Sequence, residues 1–189
     1  MIDTLCDIAK GQNASAGFFY LDFAARKEQS PTTILSSLLR QVVSGLKTIP
    51  TKIVQAFQDQ TTAIGGRRLR LGEIVEMLQD ISSLRAIYIC IDALDECMAE
   101  YQVELLDSLR QILDKSPGVR VFLAGRLHIR DQVEKHLARK VVAISITPTN
   151  DDIIRFLRAK LKEDTTPDAM NMSLEEDILT SIPETVSEM

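Results

Sequence analysis

Ile87-Tyr88-Ile89-Cys90-Ile91 is an apolar run that ends on Asp92, and Asp95 and Glu96 follow three and four residues later. A run of this kind reads as a buried strand of a parallel sheet, and such sheets bind ligands outside the carboxyl ends of their strands. Three carboxyls are therefore expected at a binding edge. Carboxylates there can hold a hard divalent cation such as magnesium through its retained waters. A neighbouring acid can orient or deprotonate an attacking water. A plainer reading of the same residues is also open: Asp92 caps a turn, and Asp95 and Glu96 begin a helix whose positive end favours acids.

The flanking segments have to place that edge. Gly17 to Phe23 reads as a short buried strand after the turn-like Gly11 to Ser15, and Met1 to Lys10 as the last turns of a helix. Ser30-Pro31 is a helix start, because Ser caps free amide donors and Pro suits the first helical position. Ile34, Leu35, Leu38, Leu39, Val42, Val43 and Leu46 give its apolar stripe, with an end expected near Gly45. Pro50 opens a second helix carrying Ile53, Val54 and Phe57, and Leu71, Ile74, Val75, Leu78 and Ile81 mark a third. Ala86 to Ile91 is then a central strand covered on both faces. A helix with Leu105, Leu106, Leu109, Ile112 and Leu113 stops at Ser116-Pro117-Gly118, and Val119 to Ala124 forms the next strand. A polar helix spans Arg130 to Leu137, a fourth strand spans Lys140 to Ile146, and Thr149 to Asp152 opens a helix with Ile153, Ile154, Leu157 and Leu161. From Glu163 the pattern weakens. Alternating strands and helices mean an α/β fold with a mainly parallel sheet.

Composition narrows the functions. The chain has 189 residues, 45% of them hydrophobic and 26% charged, which suits one domain with a real core. A net charge of −5 leaves no general attraction to nucleic acid or anionic lipid. The basic stretch Arg67-Arg68-Leu69-Arg70 lacks interleaved aromatics and is followed by Glu73 and Glu76, as in a solvated loop. Cys6, Cys90 and Cys97 have neither metal-ligand nor disulfide spacing, which fits a reducing, cytoplasmic setting. No run reaches the ~18 apolar residues that span a bilayer. His128 and His136 have no partner motif for zinc, and Ser15 and Ser30 lack a nucleophile context.

Asp92-Ala93-Leu94-Asp95-Glu96-Cys97 resembles the Walker B segment of fungal NACHT and nephrocystin-type NTPase domains, in the STAND class of P-loop NTPases. Gly17 to Phe23 is similar to the family's second strand, and Val121 to Arg126 to its sensor strand. Asn150, Asp152 and Ile153 look like the segment leading out of the nucleotide domain. The resemblance implies a three-layer α/β/α fold over residues 1–162, with 163–189 beginning a helical region. It implies that Asp92 associates with magnesium through water, that Asp95 and Glu96 orient the attacking water, and that Arg126 senses the γ-phosphate. It also implies ATP and Mg2+ as cofactors, and protein partners or self-association through an effector before this region and repeats after it.

One departure stands out. No GxxxxGK[ST] occurs, so the loop whose backbone donors and Lys cradle phosphates is missing, and Gly65-Gly66-Arg67-Arg68 cannot replace it. The chain is then expected to be an incomplete nucleotide domain, truncated at both ends, that binds no nucleotide tightly and does not hydrolyse ATP well alone. The alternative is a non-catalytic interaction module or a truncated product. In the family's sheet order, 5-1-4-3-2, the missing strand lies between Val119–Ala124 and Lys140–Ile146, which predicts a gap unless those two pair directly.

Overall fold

A computed structural model describes residues 13–62, 69–137, 141–163 and 172–187. The expected helix tail at Met1 to Lys10 and the loop at Gly65 to Arg68 lie outside the described residues. The chain divides into two compact units, residues 1–143 and 144–189.

The first unit holds three parallel strands in the order β1-β2-β3: β1 (Ala14–Tyr20), β2 (Ala86–Asp92) and β3 (Val119–Leu123). Between β1 and β2 run α1 (Pro31–Ser44), α2 (Thr51–Thr62) and α3 (Leu71–Ser82), and α4 (Ala99–Lys115) joins β2 to β3. α5 (Arg130–Leu137) follows a short 3-10 turn at Leu127–Ile129. Each β-to-β connection is a helical crossover, as parallel pairing demands.

Ile87, Ile89 and Ile91 alternate onto one face of β2. They are buried in one core with the stripe residues Ile34, Leu35 and Leu38 of α1, with Ile74 and Leu78 of α3, and with Leu105 and Leu109 of α4. The opposite face is less closed. Cys90 is buried there, but Tyr88 is half-buried and Phe18, Tyr20 and Phe122 are exposed. Cover on both faces, expected for this strand, is thus full on the α1 side and partial on the other.

Local signals set the helix ends. Ser30 Oγ accepts from Thr33 N–H at 3.3 Å with Pro31 at the first position, and α1 stops before Gly45. Glu73 reaches back to the Arg70 N–H at 2.8 Å to open α3.

β1 starts three residues earlier than its sequence suggests, at Ala14, and ends before Asp22. Small residues there are a packing requirement, not a turn. The buried Ser15 hydroxyl donates to Val42 O at 3.1 Å, and a Cβ on Gly17 would lie 3.2 Å from Leu38 O, because α1 crosses close over the strand. Arg85 ties the start of β1 to the end of α1 by donating to Ala14 O and Gly45 O.

The fourth strand expected at Lys140 to Ile146 does not form. Lys140 lies outside the described residues, and 141–149 is irregular, with Val142 87% and Ile146 90% exposed. A β-branched run becomes a strand only when a ladder partner satisfies its backbone. Among the described residues β3 has β2 on one side and no neighbour on the other. Direct pairing of the two segments therefore does not occur.

The second unit contains α6 (Asn150–Glu163) and α7 (Met172–Ser187), which pack on each other. α6 is opened by Thr149: its Oγ1 accepts from Asp152 N–H, while its own N–H and hydroxyl donate to Asp152 Oδ2 at 3.1 and 2.7 Å. α7 accommodates Pro183.

Candidate functional site

All three strands end at one edge, and the turn after β2 fastens their ends together. Leu21 N–H donates to Asp92 O at 3.1 Å, Ala124 N–H to Ile91 O at 3.0 Å and Leu94 N–H to Ala124 O at 2.9 Å. Ala93 turns the chain with φ 55°, ψ 43°, a left-handed conformation that costs about 1–2 kcal/mol in a residue with a Cβ. Its small side chain and the bonds on either side hold it there. Leu94 then plugs into the core, fully buried, and the buried Gln102 donates from Nε2 to Leu94 O at 3.0 Å.

The carboxylates diverge from this turn. Asp92 is exposed at the end of β2 and accepts through Oδ1 from the adjacent Ala93 N–H at 2.8 Å. Glu96 points to the segment after β1, where its Oε2 accepts from Phe23 N–H at 2.8 Å. Asp95 points to the segment after β3: Oδ1 accepts from Arg126 N–H at 3.1 Å, and Oδ2 faces Arg126 Nε at 3.4 Å. The Asp95 side chain is 8% exposed and that of Arg126 78%. Asp22, beside Phe23, accepts through Oδ1 from Ala24 N–H and donates its own N–H to Gln29 Oε1.

The structure thus puts Asp92, Asp95, Glu96 and Arg126 on one edge, and pairs Asp95 with Arg126. It does not gather the three acids around one point: among the described residues no three His, Cys, Asp or Glu side chains converge as a metal cage. Magnesium does not need such a cage, since it takes one or two carboxylates and fills its shell with waters and phosphate oxygens. Asp92 fits that part, being exposed and with oxygen lone pairs beyond the one given to Ala93.

Sequence reasoning named Arg126 but not its pairing with Asp95, 31 residues away, and missed Phe23, which lies 73 residues from Glu96. It also missed Gln102 and Gly125. The remaining reactive groups are quiet. Burial pushes the Cys97 thiol up to about 11, which keeps it protonated and unreactive near neutral pH. His136 sits against Asp107 with Nδ1 3.1 Å from Oδ1, and His128 is exposed in the 3-10 turn.

A family model described as "Nephrocystin 3, N-terminal" matches residues 1–126 of the 189, which takes in β1, β2, β3, the turn with the three acids, and Arg126. The chain belongs to this nephrocystin-type family. The three parallel strands with their helical crossovers form an α/β fold with a parallel sheet. No curated protein matches the chain in sequence. Among solved structures, a Walker-type ATPase of Pyrococcus abyssi is similar, with 13% identity and a TM-score of 0.49 over 97% of this chain. The chain spans 63% of that protein's length. No helix among the described residues is long and apolar enough to cross a membrane.

Proposed function

We propose that this chain is the acid-bearing part of a nucleotide-dependent switch of the NACHT-like STAND class, acting on protein partners in the cytoplasm. The observation that carries the reading is Asp92, an exposed carboxylate at the carboxyl end of the middle parallel strand, on the same turn that anchors Arg126 through Asp95. Ligands of parallel α/β sheets bind at that edge. In this reading Asp92 holds magnesium through water, and the ion's contribution is to offset charge on a nucleotide's phosphates. Arg126 supplies a planar fork of donors suited to a terminal phosphate. The resemblance assigns Asp95 and Glu96 to the attacking water, but their engagement with backbone N–H groups favours a second reading, a module of the same fold that binds partners without hydrolysis.

The chain has no GxxxxGK[ST] to supply the phosphate cradle. Isothermal titration of the 189-residue chain with Mg-ATP is therefore expected to give a dissociation constant of about 1 mM or weaker, against the micromolar range that a complete cradle supports. A micromolar, magnesium-dependent site that Asp92→Ala abolishes would overturn the expectation of weak binding. In a chain with a phosphate loop restored, Glu96→Gln separates the two readings. Slower hydrolysis with unchanged binding supports the switch, and no change in either supports the module.

A further inference from the structure

We infer that Asp95 is a positioning residue for Arg126 and not an acid that acts on water. The inference deepens the proposed reading and rests on it, since it concerns the group offered there to a phosphate. Asp95 grips Arg126 at two points at once. Oδ1 takes the backbone N–H at 3.1 Å and Oδ2 faces the side-chain Nε at 3.4 Å. One carboxylate thereby holds the residue's backbone by a hydrogen bond and draws its guanidinium by charge. With Nε toward Asp95, the terminal amino groups are the end that meets solvent, in a side chain that is 78% exposed.

A general base has to reach the water it deprotonates. Asp95 is poorly suited to that: its side chain is 8% exposed and both oxygens are committed to Arg126.

Gly125 is independent support. A Cβ there would lie 2.6 Å from Ile129 Cδ1, 3.1 Å from Asp95 Oδ1 and 3.4 Å from Asp95 N. A side chain at this position would crowd Asp95 Oδ1 by a few tenths of an ångström, so glycine leaves Asp95 room to close on the next residue. Asp95, Gly125 and Arg126 therefore act as one device, with the turn after β2 aiming the arginine that follows β3.

The test is nuclear magnetic resonance of the 15N-labelled full chain without nucleotide, so its outcome is separate from the Mg-ATP titration. Asp95→Ala should speed exchange of the Arg126 amide by about tenfold and move the Arg126 Nε–H signal towards that of a free arginine. Asp95→Asn retains an acceptor at Oδ1 but loses the charge, so it should keep amide protection within about threefold while still moving the Nε–H signal. Gly125→Ala, with the carboxylate intact but crowded, should move the Arg126 signals in the same direction as Asp95→Ala and by less. Exchange at Ile89 and Ile91 reports whether each variant remains folded. Arg126 signals unchanged in a folded Asp95→Ala would overturn the inference. If that variant does not fold, an unmoved Nε–H signal in Asp95→Asn would do the same.

Discussion

The carboxyl edge of the sheet and the segment from Ile144 to Ser187 are built from similar materials and end up very differently. At the sheet edge, apolar residues go to a closed core and polar ones find partners far along the chain: Glu96 with Phe23 and Asp95 with Arg126. In the second unit, α6 has an apolar stripe of comparable quality, yet none of its residues is buried, and its opening bonds are local, from Thr149 to Asp152. Amphipathic pattern makes a helix. Long-range closure makes a domain, because only burial of that stripe outweighs the entropy of ordering the chain.

The largest break in this comparison is expected from truncating one aliphatic residue on each side. Ile89→Ala removes a fully buried side chain from the middle of β2 and should cost about 3–4 kcal/mol, within the usual range for core Ile-to-Ala changes. Leu157→Ala on the half-exposed face of α6 should cost about 1 kcal/mol or less, since little of that side chain leaves water on folding. Urea unfolding followed by circular dichroism compares them. Equal losses would mean that the second unit is packed as tightly as the first.

A smaller effect is expected at the stitched edge. Glu96→Ala leaves the Phe23 N–H without its carboxylate, and the bond, being charge-assisted but partly in solvent, should be worth about 1–2 kcal/mol. The Phe23 amide should then exchange faster while Ile89 stays protected. A Phe23 amide that exchanges at the same rate would show that this link does not hold the end of β1.

The smallest effect sharpens the other side. The Thr149 hydroxyl and N–H hold the Asp152 carboxyl below its ordinary value of 3.8. A lowered folded-state value means that the contribution is present above about pH 4 and is lost as pH falls through the lowered value. Helix content of α6, read from backbone chemical shifts, should decline in that acid range, and Thr149→Val should flatten the decline. An unaltered pH profile in Thr149→Val would remove the capping bond from the account.

Much of the fold was legible along the chain, because helix starts and buried strands leave short-range marks. Ser30-Pro31, the stripes of α1 and α3, and the runs of β2 and β3 all appear as read, within a residue or two. The exceptions have a common cause. Ala14-Ser15, read as the end of a turn, is strand because α1 passes close above it. Val141 to Ile146 resembles a strand and is irregular because its backbone has no ladder partner among the described residues. In both cases the deciding contact is made by residues distant in sequence, which composition and periodicity do not record.

At the site the division is similar. Residue types and spacing alone determined that three acids follow a buried strand and lie at the carboxyl edge of the sheet, and these 189 residues contain no GxxxxGK[ST]. Tertiary structure decided what each acid does there. Ala93 in the left-handed region turns the chain so that Asp92 stays at the rim, while the next turn carries Asp95 toward β3 and Glu96 toward β1. Neighbours in sequence cannot reveal this, since a carboxylate is defined by the donors it meets, and those donors arrive from strands brought alongside only by the parallel sheet.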